Sequence, residues 1–96
     1  MHFDWDPTKD ALNRVKHGIG FDEAKDVFAP GSHRLDLDDD AHSDDEIRSR
    51  AIGPVARGVL FVVFNHRDGD VVRIISARRA TARERRLYED WIRRNL

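Results

Sequence analysis

The chain has 96 residues, a formal net charge of −1 and no cysteine. This length provides one domain with one core. The missing cysteine excludes disulfides, a thiolate nucleophile and a cysteine-type zinc site. The longest apolar run, residues 59–64, is far too short to span a membrane. Because the first ten residues carry no export-signal pattern, we expect a cytoplasmic protein without membrane association.

Charge is divided unevenly along the chain. Residues 1–46 hold 13 acidic residues against 5 Lys or Arg, whereas residues 47–96 hold 12 Arg against 5 acidic residues. One domain cannot separate these halves, so we expect a dipolar molecule with a basic face that attracts a polyanion. No lysine follows Lys25, and the planar arginine fork pairs bidentately with phosphate. The alternative explanation for the use of arginine in place of lysine is a general preference of the parent genome for arginine codons.

The first half of the sequence predicts a short strand followed by two helices. Residues 2–5 alternate as a strand does, and Asp6-Pro7 is typical of a helix start. Gly18 should end this first helix, whose buried stripe is predicted to be Ala11, Leu12 and Val15. The second helix should end before Pro30 and bury Phe21, Ala24, Val27 and Phe28.

The second half predicts four strands and one helix. Residues 33–37 precede a polar loop, and strands are then expected at residues 47–53, 58–66 and 71–78. Asp68-Gly69 indicates a hairpin between the last two strands. Thr81 and Glu84 form a capping-box pattern that opens the last helix, with an apolar stripe of Leu87, Tyr88, Trp91 and Ile92.

These elements predict one α+β domain over residues 1–96, in the order β-α-α-β-β-β-β-α. The short connections between the later strands favour a mainly antiparallel sheet with the helices packed on one face.

Arginines in the predicted strands are the first candidates for a binding site. Arg48 and Arg50 share one side of their strand, whereas Arg73 and Arg78 lie on opposite sides of theirs unless a bulge intervenes. Arg78 and Arg79 also precede a helix start, where a phosphate could bind. An ordinary solvated sheet face, with Glu84 neutralising the helix start, is the alternative.

The remaining polar residues give weaker signals. Tyr88 is more often a core residue than a functional one, and Glu84 is most simply a cap. The histidines have no spacing typical of a helical metal site. We therefore expect neither a metal nor another cofactor.

Several motifs together resemble the BrnT family of toxins from bacterial type II toxin–antitoxin modules. They include Phe3-x-Trp5-Asp6-x-x-Lys9, Asn13-x-x-Lys16-His17-Gly18-x-x-Phe21, and Arg73-Ile74-Ile75-Ser76-Ala77-Arg78 followed by Ala80-Thr81, Glu84-Arg85 and Tyr88. The resemblance implies a RelE-like fold and a ribonuclease that arrests translation. It also implies a cognate ribbon-helix-helix antitoxin, which binds operator DNA when the complex represses its own operon.

The hypothesis that follows is metal-independent RNA cleavage, in which a 2′-hydroxyl attacks the adjacent phosphate. The reaction needs a base, an acid and positive charge at the phosphate. Arg48 and Arg78 are predicted to clamp the phosphate, with support from Arg67 and Arg73. The groups available for proton transfer are His17, His42, His66 and Glu84. The other predicted RNA-binding residues are Lys16, Arg50, Arg79 and Tyr88.

Two other classes of function remain open from the sequence. A non-catalytic nucleic-acid-binding or adaptor domain would use the arginines only to hold phosphates and would leave RNA intact. A protein-binding module would use the same basic face to dock an acidic peptide.

Overall fold

The computed structural model describes residues 1–37, 42–43 and 46–96. The strands are β1 (His2–Asp4), β2 (Leu35–Leu37), β3 (His42–Ser43), β4 (Glu46–Ile47), β5 (Ser49–Val55), β6 (Gly58–Arg67) and β7 (Val71–Arg79). The helices are α1 (Pro7–His17), α2 (Phe21–Ala24), which continues into a 3-10 turn (Lys25–Phe28), and α3 (Ala82–Asn95). Among the described residues, no helix combines the length and apolarity needed to cross a membrane.

The main sheet has five strands in the order β1-β7-β6-β5-β2. Neighbouring strands are antiparallel except β1, which pairs in parallel with β7. The predicted α+β class and the mainly antiparallel sheet are confirmed. A small antiparallel pair, β3 and β4, adds two short strands within the segment predicted to be a polar loop. Most of the rest of that loop lies outside the described residues.

Local signals place the ends of the helices as predicted. The Asp6 carboxylate caps α1 by accepting from the Thr8 backbone N–H at 2.8 Å. Gly18 ends the helix with a φ of +70°, which glycine adopts without strain. Thr81 and Glu84 form the reciprocal capping box at the start of α3. These short-range contacts fix where the chain leaves and enters the sheet.

Apolar residues cover both faces of the sheet, and each face has its own core. The first core contains Phe21 from α2 together with Ala51, Leu60 and Val62. The second contains Ile52, Phe61 and, from α3, Tyr88, with Trp91 and Ile92 packed against it. The prediction that the helices pack on one face is therefore wrong for α3. The physical reason is that β5 and β6 alternate apolar residues on both sides, so neither face can be left wholly to solvent.

The buried side of α1 is polar, and the predicted apolar stripe is wrong. Leu12 and Val15 are 64% and 87% exposed, whereas Asn13 is 7% exposed. The Asn13 amide nitrogen donates to the carbonyl oxygens of Ile19 and Ala77, each at 2.8 Å. Its side-chain oxygen accepts from the Ala77 N–H at 3.2 Å. Beyond the three-residue β1, the edge of β7 needs hydrogen-bond partners, and Asn13 supplies them.

We expect Asn13→Leu to lower the free energy of unfolding by about 2–3 kcal/mol, because it leaves backbone groups of Ala77 buried without partners. Urea unfolding at neutral pH measures this loss. The same substitution at the exposed Asn95 serves as the control and should change little. Equal stability of the two variants would contradict the bridging role of Asn13.

Candidate functional site

Part of the second sheet face carries arginines in place of apolar residues. Arg50 pairs across the ladder with Val63, and Arg73 pairs with Asn65. Arg50 alternates with the first-core residue Ala51, so its side chain stands on the second face. Arg73 lies between Val72 and Ile74, both in the first core, and therefore also faces the second side.

A β-bulge in β7 brings Arg78 to this same face. Phe64 pairs with Ile74 and Val63 pairs with Ser76, so Ile75 is an extra residue in the strand. The bulge shifts the alternation by one residue, and Arg78 then pairs with Phe61. The prediction that Arg73 and Arg78 lie on opposite faces is wrong, because the regular period of two does not survive the bulge.

We give the name arginine face to Arg50 and Arg73 together with two further arginines, Arg67 at the end of β6 and Arg48 just before the start of β5. Arg48 directly precedes β5 and is half-buried, and its Nε atom makes no hydrogen bond in the described part of the chain. Arg67 ends β6 and is exposed. Arg50 on β5 and Arg73 on β7 are separated by β6 and by one two-residue step along the ladder, so their Cα atoms are roughly 12 Å apart. Positive charges gathered at one end of a sheet raise the local concentration of anions.

The carboxylate of Asp4 contacts this face. Asp4 of β1 accepts from Arg73 Nη1 at 2.6 Å, and the two side chains are 49% and 29% exposed respectively. An exposed pair of this kind contributes little to stability. It can therefore be exchanged for a phosphate at small cost.

Arg78 is held in place by Glu84 and by an aromatic ring. Its two terminal nitrogens donate to the two Glu84 carboxylate oxygens at 2.8 and 3.0 Å. The guanidinium carbon lies 4.3 Å from the centre of the Phe61 ring. The hydrogen bond from Arg78 lowers the pKa of Glu84, and the reciprocal bond raises the pKa of Arg78. Glu84 is therefore an ionised acceptor, and Arg78 is oriented by its own chain.

Arg79 lies at the end of β7 beside other contacts of the chain itself. It donates to the Arg57 carbonyl oxygen at 3.1 Å. The neighbouring Arg57 binds Glu23 at 2.8 and 2.5 Å, and this hydrogen bonding is the main cause of the lowered pKa of Glu23. Arg79 pairs with Leu60, far from the Asn65–Arg73 step of the ladder, so the structure does not bring it to the arginine face.

Lys16 and His17 end α1 beside the bulge. They line a groove together with Ile75 and Ser76 of β7. His17 is half-buried and Lys16 is exposed. The groove places both residues at the outer edge of β7, between the positions of Arg73 and Arg78 along the strand.

The other predicted site residues lie elsewhere. Tyr88 is 8% exposed in the second core, and its hydroxyl donates to the His33 carbonyl oxygen at 2.5 Å. Burial raises the pKa of this hydroxyl. The ring centres of His66 and Phe64 are 5.5 Å apart, and His66 lies on the side of the first core. The side chain of His42 lies outside the described residues.

Asn65 was missed by the sequence predictions. It is 6% exposed, and its side-chain oxygen has no hydrogen-bond partner among the residues that the structure describes. By alternation with Phe61 and Val63 it stands on the second sheet face, directly opposite Arg73. The sequence offers one indication of its position: Asn65 is a polar residue that directly follows the apolar residues of its strand, on the same side as Phe61.

Comparisons with known proteins give one family and one fold. A family model described as "Ribonuclease toxin, BrnT, of type II toxin-antitoxin system" matches residues 5–84. The crystal structure of the Brucella abortus ribonuclease toxin BrnT superposes with a TM-score of 0.61 at 24% sequence identity, covering 84% of this chain and 97% of that chain. At this identity the likeness shows a shared fold. A search of curated proteins found no match.

The lowered pKa of Glu84 predicts a pH-dependent loss in Glu84→Gln. The ionised carboxylate stabilises the fold fully above its ordinary pKa of 4.5, and this stabilisation is lost as the pH falls through the lowered folded-state pKa. The free energy of unfolding of the variant should therefore be about 1 kcal/mol lower than that of the wild type at pH 7. The difference between the two proteins should become smaller below pH 4.5. Unfolding curves across pH measure this, with Glu89→Gln on the same helix as control. A difference independent of pH would contradict the pairing.

Proposed function

Because this chain belongs to the BrnT family of ribonuclease toxins of type II toxin–antitoxin systems, we propose that it is an endoribonuclease that cleaves RNA without a metal ion and arrests translation in the cytoplasm. The observation that carries the proposal is that Arg50 and Arg73 stand on one face of the sheet, with Arg67 at the end of β6 and Arg48 just before β5 at the same end of the ladder. Guanidinium groups bind phosphate through paired N–H groups. Such a face is suited to the backbone of a single RNA strand.

The proposed reaction is attack of a ribose 2′-hydroxyl on the adjacent phosphate, with departure of the 5′-oxygen. Arg48 and Arg73 stabilise the negative charge that develops on the phosphate, and Arg50 and Arg67 bind the flanking backbone. Fixed positive groups of this kind usually contribute the largest share of such catalysis. Among the described residues, no group of three or more His, Asp or Glu side chains is placed to hold a metal ion.

Proton transfer is proposed for His17, His42 or Glu84. His17 lines the groove beside the bulge, and histidine is the most common proton-transfer residue in enzymes. Glu84 is held ionised by Arg78, so it would act as a base and not as an acid. The proposed role of Arg78 is to fix the edge of the site through this pair, with Lys16, Arg79 and Tyr88 as outlying RNA contacts.

The proposed partner is a ribbon-helix-helix antitoxin. Type II antitoxins are proteins that neutralise their toxin by binding it, and an acidic segment would complement the arginine face. We further propose that the complex binds operator DNA through the antitoxin and represses its own operon. Covering the arginine face would block RNA and leave the DNA contacts to the antitoxin.

Arg48→Ala should reduce RNA cleavage by on the order of 30- to 1000-fold, as expected for loss of one transition-state contact worth about 2–4 kcal/mol. It should also abolish growth arrest without a change in thermal unfolding. The control is Arg14→Ala, which removes a cation that binds Asp10 on α1. Full toxicity of Arg48→Ala would rule out the assigned role.

Arg78→Ala should also lose activity, but with a measurable loss of stability, because it breaks the contacts to Glu84 and Phe61.

Purified protein should cut RNA into fragments in the presence of a metal chelator, and equimolar antitoxin should stop the cleavage. Gel analysis of the RNA distinguishes this result from simple binding. A binder would shift the RNA intact and release it steeply as the salt concentration rises. Intact RNA at every protein concentration would overturn the ribonuclease proposal, and cleavage only without chelator would overturn its metal independence.

A further inference from the structure

The two buried asparagines of this chain differ in one respect. Asn13 and Asn65 are 7% and 6% exposed. Asn13 uses both ends of its amide in hydrogen bonds to the backbone. The Asn65 side-chain oxygen makes none within the part of the chain that the structure describes. A buried acceptor without a donor destabilises a fold, so packing gives no reason for an amide at this position.

The position of Asn65 connects it to the arginine face. It lies opposite Arg73 in the β6–β7 ladder. Across the other ladder, Ser49 pairs with Phe64. Arg48 directly precedes Ser49, so antiparallel pairing brings Arg48 and Asn65 to the same end of the β5–β6 ladder. The buried Nε of Arg48 also has no partner in the described ranges of the chain. A donor and an acceptor that have no partner among the described residues therefore both lie at the end of the sheet that carries Arg73.

RNA offers both an acceptor for the arginine N–H groups and a donor for the Asn65 oxygen. A phosphate offers only acceptors, so it pairs with the arginines and cannot satisfy the Asn65 oxygen. The missing partner must be a donor held close to a phosphate. In RNA the ribose 2′-hydroxyl is on the carbon next to the one that carries the 3′-phosphate, and it can donate a hydrogen bond. Donors on the bases are farther from the backbone and differ from base to base.

We propose that Asn65 accepts a hydrogen bond from the 2′-hydroxyl of the nucleotide whose phosphate is bound by Arg48 and Arg73. This inference rests on the proposed ribonuclease function and names the contact that selects RNA over DNA. The amide is neutral and takes no proton in the reaction. It is a substrate-binding residue that orients the attacking hydroxyl, and because its oxygen is buried in the unbound protein, binding requires neighbouring side chains to move.

Asn65→Leu tests the proposal, because leucine has nearly the same size and no polar atom. Removing an unsatisfied acceptor should leave the midpoint of thermal unfolding unchanged or higher, whereas Asn13→Leu should lower it. The kcat/KM for an RNA oligonucleotide should fall about tenfold or more. The inhibition constant of an all-deoxy oligonucleotide of the same sequence should change less than about twofold, since DNA lacks the 2′-hydroxyl. The experiment thus measures selectivity for RNA over DNA, by comparing the change in kcat/KM for the RNA with the change in the inhibition constant of the DNA.

The other possible results distinguish a failure of this inference from a failure of the proposed ribonuclease function. If Asn65→Leu unfolds as easily as Asn13→Leu, Asn65 is a structural residue and the inference is wrong. If the variant is stable and its selectivity for RNA equals that of the wild type, the inference is also wrong. If the wild-type protein cleaves no RNA, the proposed function fails. Direct titration of both proteins with the RNA and DNA oligonucleotides then decides whether Asn65 recognises the 2′-hydroxyl, because equal selectivity would overturn it.

Discussion

The extra residue in β7, Ile75, is the constraint on which the arrangement of the candidate site depends. A regular strand would send Arg73 and Arg78 to opposite faces. The bulge shifts the alternation by one residue, so both arginines share the second face while Ile74 and Ala77 both remain in the first core. One inserted residue therefore allows the same strand to complete the core and to present its charges together.

Two contacts hold the strand just after the bulge. The Asn13 amide binds both backbone groups of Ala77 from the outer edge, and Glu84 binds the Arg78 guanidinium through two hydrogen bonds. Helices α1 and α3 thus fix β7 from different sides. Because Arg50 and Arg73 stand on two strands that both pair with β6, and not on loops, their spacing is set by the sheet, as a site that must hold a phosphate in one geometry requires.

The features predicted correctly from the sequence depend on residues close together in the chain. The caps at Asp6, Gly18 and Thr81 are examples, since each involves atoms of the same helix end. The errors concern distant contacts: the polar side of α1 faces inward because Asn13 meets a strand 64 residues away, and α3 packs on the second face because that face is apolar. For the site, alternation placed Arg73 and Arg78 on opposite faces, because it could not reveal the bulge. Asn65 was missed because no pattern in a sequence shows that an amide lacks a partner.

The most direct test of a shared arginine face is a ¹H–¹⁵N spectrum of the arginine Nε–H groups during titration with an uncleavable RNA that carries 2′-O-methyl groups. If the face binds one RNA strand, the signals of Arg48, Arg50 and Arg73 should shift together along a single binding curve, while that of Arg14 stays unchanged. Shifts confined to the exposed arginines of α3, with those three signals unmoved, would contradict the shared face and the role assigned to the bulge.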